Sequence, residues 1–136
     1  DESIPQNKIQ VSIGVPIYNA EKYIRKKLDS LLLQTFTNFE LIISDNASTD
    51  STSKICKEYV KKDKRIVYFR QEKNIGAWNN FNFVLEQAKN EFFLWSAADD
   101  VILPKFIEEN IKILKSNKKI ACSVTKMILL EKVHLI

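Results

Sequence analysis

Each of four predicted strands in this chain is followed by a cluster of polar side chains. Open α/β sheets bind ligands in the crevice at the carboxyl ends of their strands, so four successive clusters predict one shared site. The clusters are Pro16-Ile17-Tyr18-Asn19, Asp45-Asn46-Ala47-Ser48-Thr49-Asp50, Arg70 with Lys73-Asn74-Ile75-Gly76, and Ala97-Ala98-Asp99-Asp100.

The adjacent carboxylates Asp99 and Asp100 are the strongest chemical signal in this set. Two like charges in a partly buried crevice repel each other, and a divalent cation relieves that repulsion. Carboxylate and water oxygens suit Mg²⁺ or Mn²⁺, which could neutralise a departing diphosphate as a Lewis acid. The alternative is that both residues cap the helix beginning near Pro104 or lie in a turn, and spacing alone does not decide between these interpretations.

Asp45 and Tyr18 could contact a nucleotide. A carboxylate after a central strand can accept hydrogen bonds from a base or a ribose, although Asp45 also suits a turn or a cap. Tyr18 could stack on a base or cover the edge of the sheet. The chain has two glycines, Gly14 and Gly76, and contains neither GxGxxG nor GxxxxGK[ST]. These absences argue against a classical dinucleotide fold and a P-loop NTPase.

Strands and helices alternate along the chain, which predicts a Rossmann-like, three-layer α/β/α fold with a mostly parallel sheet. Right-handed crossovers would bring the polar clusters to one edge. Asn19 and Ser48 are predicted N-caps, and Asn90 is predicted to end the third helix in a left-handed conformation. That helix is predicted to turn Phe81, Val84, Leu85 and Ala88 inward. The predicted strands are Ile9–Ile17, Phe39–Ser44, Ile66–Phe69 and Phe92–Ser96, and the predicted helices are Glu21–Gln34, Thr49–Lys62, Ala77–Ala88 and Pro104–Leu114.

The composition suits a single soluble domain over residues 1–136, with 45% hydrophobic residues and a net charge of +4. Most lysines, with Lys26 and Lys27 among them, are expected on solvated helix faces, with attraction to an anionic membrane surface or substrate as the alternative. No basic stripe alternates with aromatics, which argues against nucleic-acid binding. No apolar run approaches the ~20 residues of a membrane span, and no signal peptide is apparent. Cys56 and Cys122 are expected to be buried free thiols in a reducing compartment, which favours a cytoplasmic location.

Several segments together resemble the family 2 glycosyltransferases of the GT-A fold. Residues 11–24 (VSIGVPIYNAEKYI) resemble that family's first strand and loop, and residues 28–35 (LDSLLLQT) resemble its first helix. Residues 41–50 (LIISDNASTD) resemble its strand with an acidic end and a Ser-Thr-Asp turn. Asn74-Ile75-Gly76 and Asn82 match its next loop and helix. The resemblance runs from about Ile9 to Leu114, with the motifs in the family's order.

The resemblance implies a nucleotide-sugar site, with uracil the commonest base. It places Pro16, Tyr18 and Asn19 near the base and ribose, Asp45 on the base, and Asn74 and Gly76 along the pocket. The family's Asp-x-Asp element falls at Ala97-Ala98-Asp99, so Asp99 would serve the donor, and Asp99 with Asp100 would hold Mn²⁺ or Mg²⁺. Two departures are Ala97, where the first carboxylate of that element is expected, and Asn46, where a second acidic residue is common.

The family's catalytic base is an Asp or Glu in a following acceptor-binding half, and we expect this chain to be truncated before that half. Glu131 and His134 are the late candidates, and nothing in the sequence brings either into reach of an acceptor. The leading hypothesis is a metal-dependent, inverting transferase acting on a glycan or lipid-linked acceptor, with a peripheral membrane contact or self-association as further expectations. The alternatives are a nucleotide-sugar-binding module without turnover and an unrelated signalling or scaffold domain.

Overall fold

The computed structural model describes residues 10–117 and residue 119. The strands are β1 (Val11–Ile17), β2 (Phe39–Asp45), β3 (Ile66–Arg70) and β4 (Phe92–Trp95). The helices are α1 (Ile24–Leu32), α2 (Thr52–Lys62), α3 (Ala77–Gln87) and α4 (Phe106–Ser116). The predicted order of elements is confirmed, and their observed ends lie within three residues of the predicted ones.

The strands form one parallel sheet in the order β3-β2-β1-β4. Ile17 at the end of β1 is level with Asp45 at the end of β2, and Asp45 is level with Arg70 at the end of β3. The chain steps outward from β1 to β3 and then returns to the other side of β1 for β4. The strand order therefore reverses between β1 and β4, the position at which open α/β sheets bind their ligands.

Alternating residues of the strands face two different helical layers. Val11, Ile13, Val15 and Ile17 belong to a buried cluster with apolar residues of α1, α2 and α4. On the opposite face, a Cβ added to Gly14 would lie 2.7 Å from Val84 of α3. The helices thus cover both faces of the sheet, which confirms the predicted three-layer α/β fold.

The two predicted N-caps are wrong. Helix α1 has Tyr23 as its N-cap and α2 has Ser51, and neither makes a side-chain cap hydrogen bond. Asn19 instead has a φ of 48° and uses its side chain on the neighbouring loop, while the Oγ of Ser48 accepts the backbone N–H of Asn19. Contacts between two loops that are about thirty residues apart override the local capping preference.

The C-terminal part of α3 also differs from expectation. The helix ends at Gln87, and Ala88 after it is extended. Asn90 does not have a positive φ, and its side chain donates to the Oγ of Ser12 on β1. Val84 is fully buried but Leu85 is 41% exposed, because α3 meets the sheet along the line of Asn80 and Val84 and Leu85 falls beside it.

The predicted strands in residues 120–136, together with Cys122, Glu131 and His134, lie outside the described residues. Cys56 is buried, as predicted. Among residues 10–117 and 119, no helix has both the length and the apolar character needed to cross a membrane.

Candidate functional site

The loops after β1 and β2 hold each other at the carboxyl edge of the sheet. The Oδ1 of Asn19 accepts the N–H of Thr49 at 2.8 Å, and the Oγ of Ser48 accepts the N–H of Asn19 at 2.9 Å. One turn further, the N–H of Ala20 donates to the Oγ1 of Thr52 at 2.8 Å. This reciprocal bonding leaves the ring of Tyr18 half exposed at the edge, where a flat ligand could stack on it.

Asp45 lies beneath this edge with a fully buried side chain. Its Oδ1 accepts the N–H of Ser48 at 2.8 Å, and its Oδ2 accepts the hydroxyl of Tyr68 at 2.7 Å and the Nη1 of Arg70 at 3.1 Å. Burial, assisted by the negative charge of Asp45, raises the pKa of Tyr68 to about 12, so Tyr68 stays a donor. A carboxylate has about four acceptor positions, so one position of Asp45 is unfilled, but burial closes it to a ligand in this arrangement of the side chains.

The loop after β3 is tied to the loop after β2 by Asn46, which is almost fully buried. The Nδ2 of Asn46 donates to the Oδ1 of Asn74 at 3.0 Å, and its Oδ1 accepts the N–H of Ile75 at 2.8 Å. Asn74 in turn accepts the N–H of Gly76, whose φ of 86° suits glycine. The predicted site residues Asn74 and Gly76 are thereby held in line with the end of β2.

A buried polar network that sequence reasoning missed fixes the start of α3. The Oγ of Ser44 donates to the Oδ1 of Asn80 at 2.6 Å, and the Nδ2 of Asn80 donates to the carbonyl of Ser44 at 3.0 Å. Gln71 adds a hydrogen bond to the same hydroxyl at 3.1 Å. The available signal was an asparagine four residues before Val84, on the same face of the helix.

Asp99 and Asp100 follow β4 on the other side of β1. Asp99 is exposed and makes no hydrogen bond or ion pair within the described part of the chain. Asp100 forms an ion pair with the ammonium of Lys27, whose side chain is fully buried. Neither carboxylate caps α4, because its N-cap is Lys105 and makes no side-chain cap hydrogen bond. The capping interpretation of the acidic pair is therefore wrong, whereas Asp99 does lie in a turn.

The ion pair joins two ionisable groups in different surroundings. Burial lowers the pKa of Lys27, and the hydrogen bond and charge of Asp100 oppose that shift, as does the charge of Asp99. The carboxylate of Asp100 remains 42% exposed. One of its oxygens is engaged by Lys27, and the other makes no hydrogen bond within the described part of the chain.

The acidic pair fits a cation that is shared with a substrate. No group of three His, Cys, Asp or Glu side chains in residues 10–117 and 119 could enclose a metal ion by itself. Mg²⁺ and its analogues are often held by one or two carboxylates plus substrate phosphates, with waters completing the shell. Asp99 and the free oxygen of Asp100 supply that kind of hard, partial ligand set.

These loops lie within a segment that matches known proteins. Residues 12–134 match the family described as glycosyl transferase family 2. The chain belongs to this family. It is 36% identical over 99 residues to the glycosyltransferase GlyA of Streptococcus pneumoniae, a match that covers 73% of the chain. It is also 39% identical over 104 residues, 76% of the chain, to an uncharacterized glycosyltransferase of Rickettsia typhi.

Solved structures of glycosyltransferases resemble this family 2 chain in fold as well as in sequence. Staphylococcus aureus TarS 1–349 in complex with UDP-GlcNAc superposes with a TM-score of 0.74 at 33% identity, covering 79% of the chain. A mannosyltransferase from Pyrobaculum calidifontis, solved with GDP-Man and Mn²⁺, superposes over 76% of the chain with a TM-score of 0.71. Its 24% identity establishes likeness of fold, and both neighbours agree with a GT-A glycosyltransferase fold.

The chain spans only part of each protein that it matches. It covers 14% of GlyA, 31% of the Rickettsia typhi relative and 32% of the TarS fragment. The similarity therefore concerns a family 2 segment within longer proteins.

Proposed function

We propose that this chain supplies the donor-binding part of a glycosyltransferase that moves a sugar from a nucleoside diphosphate sugar, a UDP-sugar in the simplest case, to an acceptor hydroxyl. The observation that carries the proposal is the convergence of four polar loops on one edge of the sheet, around the reversal between β1 and β4. The 33% identity to TarS, which was solved with UDP-GlcNAc, supports a uridine nucleotide.

The proposed nucleotide site uses exposed groups above a buried polar layer. Tyr18 offers a half-exposed ring for stacking, and Asn74 and Gly76 offer polar groups on the neighbouring loop. Asp45 holds the edge together, and because its side chain is fully buried, contact with a base would require Tyr68 or Arg70 to move aside. The complete proposed set is Pro16, Tyr18, Asn19, Asp45, Asn74, Gly76 and Asp99, of which Pro16 and Asp45 are buried beneath the exposed groups.

Asp99 and Asp100 would hold Mn²⁺ or Mg²⁺ together with the donor diphosphate, and the ion would neutralise the charge of the leaving group. In the proposed inverting reaction, the acceptor oxygen bonds to the anomeric carbon as the bond to the diphosphate oxygen breaks. The acceptor proton passes to a base within hydrogen-bond reach. We assign no base among the described residues.

The second candidate is a nucleotide-sugar-binding module that does not turn over its ligand alone. The observation favouring it is that the chain covers about a third of TarS 1–349. Acceptor binding would then depend on further sequence in a longer protein. We further propose that the complete transferase uses a glycan or lipid-linked acceptor. It would take part in polysaccharide synthesis at the cytoplasmic face of a membrane.

Titration calorimetry of UDP, with and without Mn²⁺, tests the donor site. We expect binding that strengthens with Mn²⁺, a loss of about tenfold for Tyr18→Ala from lost stacking, and loss of the Mn²⁺ effect in Asp99→Asn. Exposed Glu91→Gln, just before β4 at the opposite edge of the sheet, makes the same charge change away from the proposed site and should bind as the parent does. Absence of binding by the folded parent under both conditions would reject the donor site and favour the scaffold alternative.

Turnover separates the enzyme from the binding module. Release of UDP from UDP-GlcNAc should be followed with and without a panel of glycan acceptors. Acceptor-dependent release supports transfer by this chain. Tight donor binding without release in any mixture supports the module.

A further inference from the structure

Lys27 is the one described lysine whose side chain is fully buried. It lies on the same face of α1 as Ile24, Leu28 and Leu31, which are also fully buried, whereas its neighbour Lys26 is exposed. A lysine is almost never fully buried unless it is paired. Its ammonium pairs with Asp100, seventy-three residues away in the chain.

A purely structural role for this pair is a weak explanation, because the segment before α4 is anchored in other ways. The N–H of Thr35 donates to the carbonyl of Pro104 at 2.8 Å. The side chain of Gln34 donates to the carbonyl of Leu103 at 2.7 Å and accepts the N–H of Ile107 at 3.2 Å. These bonds join the turn after α1 to the start of α4 and the residues before it without Lys27.

The ammonium instead changes the charge that the acidic pair presents. Asp99 and Asp100 together carry two negative charges, and Lys27 beneath them reduces the sum to one. It also occupies one oxygen of Asp100, whereas Asp99 is exposed and has no ion-pair partner within the described part of the chain. A cation that approaches the two carboxylates must therefore compete with the ammonium of Lys27 for Asp100.

We infer that Lys27 is a positioning residue for the donor site, an internal cation that holds Asp100 and competes with a divalent ion for it. This inference rests on the proposed function. Lys27 would keep the acidic pair from binding metal tightly by itself, so that the ion arrives with the donor diphosphate, whose phosphate oxygens complete its ligand set. The position of Lys27 on α1 thereby tunes a site formed by the β4–α4 segment.

Mn²⁺ affinity without nucleotide, measured from the electron paramagnetic resonance signal of free Mn²⁺, tests the inference. Lys27→Met keeps the length of the side chain and removes its charge. We expect Mn²⁺ to bind about tenfold more tightly, because a positive charge beside the ion is lost and Asp100 is released. The exposed neighbour gives a matched control, since Lys26→Met removes the same charge from the same helix and should change the affinity less than about twofold.

Repeating Lys27→Met in a protein that already carries Asp100→Asn tests whether Lys27 acts through Asp100. In Asp100→Asn, the gain from Lys27→Met should fall to about threefold or less, because the released ligand is no longer a carboxylate. Denaturation in urea checks that each variant is folded. A variant with damaged structure would lose Mn²⁺ affinity, whereas the inference requires a gain.

Three results would overturn the inference: an unchanged Mn²⁺ affinity in folded Lys27→Met, a weaker one, or no Mn²⁺ binding by either protein. None of them decides the proposed function, which depends on the UDP titration of the parent chain. Conversely, UDP binding by the parent together with unchanged Mn²⁺ affinity in Lys27→Met would keep the donor site and remove this role of Lys27.

Discussion

Asp45 is a buried residue that supports the proposed site by holding the residues around it in place. Its carboxylate is fully buried and receives donors from Ser48, Tyr68 and Arg70, which come from two different strands or loops. Charged hydrogen bonds of this kind contribute more than neutral ones. Asp45 therefore organises the end of the sheet whether or not it also contacts a base.

Replacing Asp45 by Asn should destabilise the fold. An amide accepts through its oxygen alone, so its NH₂ group must face either the N–H of Ser48 or the donors of Tyr68 and Arg70. We therefore expect a loss of about 2–3 kcal/mol in the free energy of unfolding. Urea denaturation measures this loss. Glu72→Gln, at an exposed position, should stay within about 0.5 kcal/mol of the parent. Equal stability of the two variants would contradict the structural role of Asp45.

Cys56 should be chemically inert in the folded chain. Burial, with the charges of Asp45 and Asp50, raises the pKa of its thiol from 9.0 to about 12, which lowers the thiolate fraction near pH 8 by about a thousandfold. A Cys122→Ser variant leaves Cys56 as the single thiol. Ellman's reagent should then label it slowly in buffer and rapidly in denaturant. Fast labelling of the native variant would show that the thiol is accessible.

At the level of elements, the close approach of α3 to the sheet depends on Gly14 of β1. A Cβ at this position would lie 2.7 Å from Phe93 and 2.7 Å from Val84. Helix α3 also carries Asn80, whose hydrogen bonds to Ser44 set the height of the helix over the end of β2. Packing at Gly14 and polar pairing at Asn80 thus jointly place the loop that contains Asn74 and Gly76.

Gly14→Ala should cost about 1–3 kcal/mol of unfolding free energy through overpacking. Gly14→Ala/Val84→Ala removes one of the two clashing groups, since Phe93 stays in place, and should still cost less than the sum of the two single changes. Gly76→Ala provides a contrast, because a Cβ added there would meet nothing within 4 Å and the cost arises from a φ of +86°. Adding Val84→Ala to Gly76→Ala should therefore recover none of the lost unfolding free energy. Additive effects at both glycines, measured in urea, would refute the steric explanation.

At the scale of the whole molecule, the net charge of +4 favours an anionic ligand. We expect the affinity for UDP to fall about threefold between about 0.05 and 0.5 M salt, because screening weakens the attraction of a positive protein for a diphosphate. Uridine carries no phosphate and serves as the control, so its affinity should be insensitive to salt. Parallel salt dependences for the two ligands would exclude this electrostatic contribution.

The fold was largely predictable because its signals are local. Apolar residues repeat at helical spacing in α1 and α2, β-branched runs mark β1 and β2, and polar residues follow each strand. Connection rules then bring the polar clusters to one edge. The predictions for Asn19, Ser48 and Asn90 are wrong because they assumed local roles, whereas each side chain bonds to a distant loop or strand. Leu85 is exposed and Lys27 is buried because helical spacing does not reveal which line of a helix meets the sheet or finds a charged partner.

The sequence by itself determined the α/β class, the family and the residue types gathered at the carboxyl edge, because periodicity and turn chemistry act over a few neighbouring residues. Only the tertiary structure decided that Asn19 bonds to the loop after β2, that Asp45 is buried against Arg70, and that Lys27 pairs with Asp100. Each of these contacts joins residues more than twenty positions apart. Such pairings depend on how the elements pack in three dimensions, which local pattern does not encode.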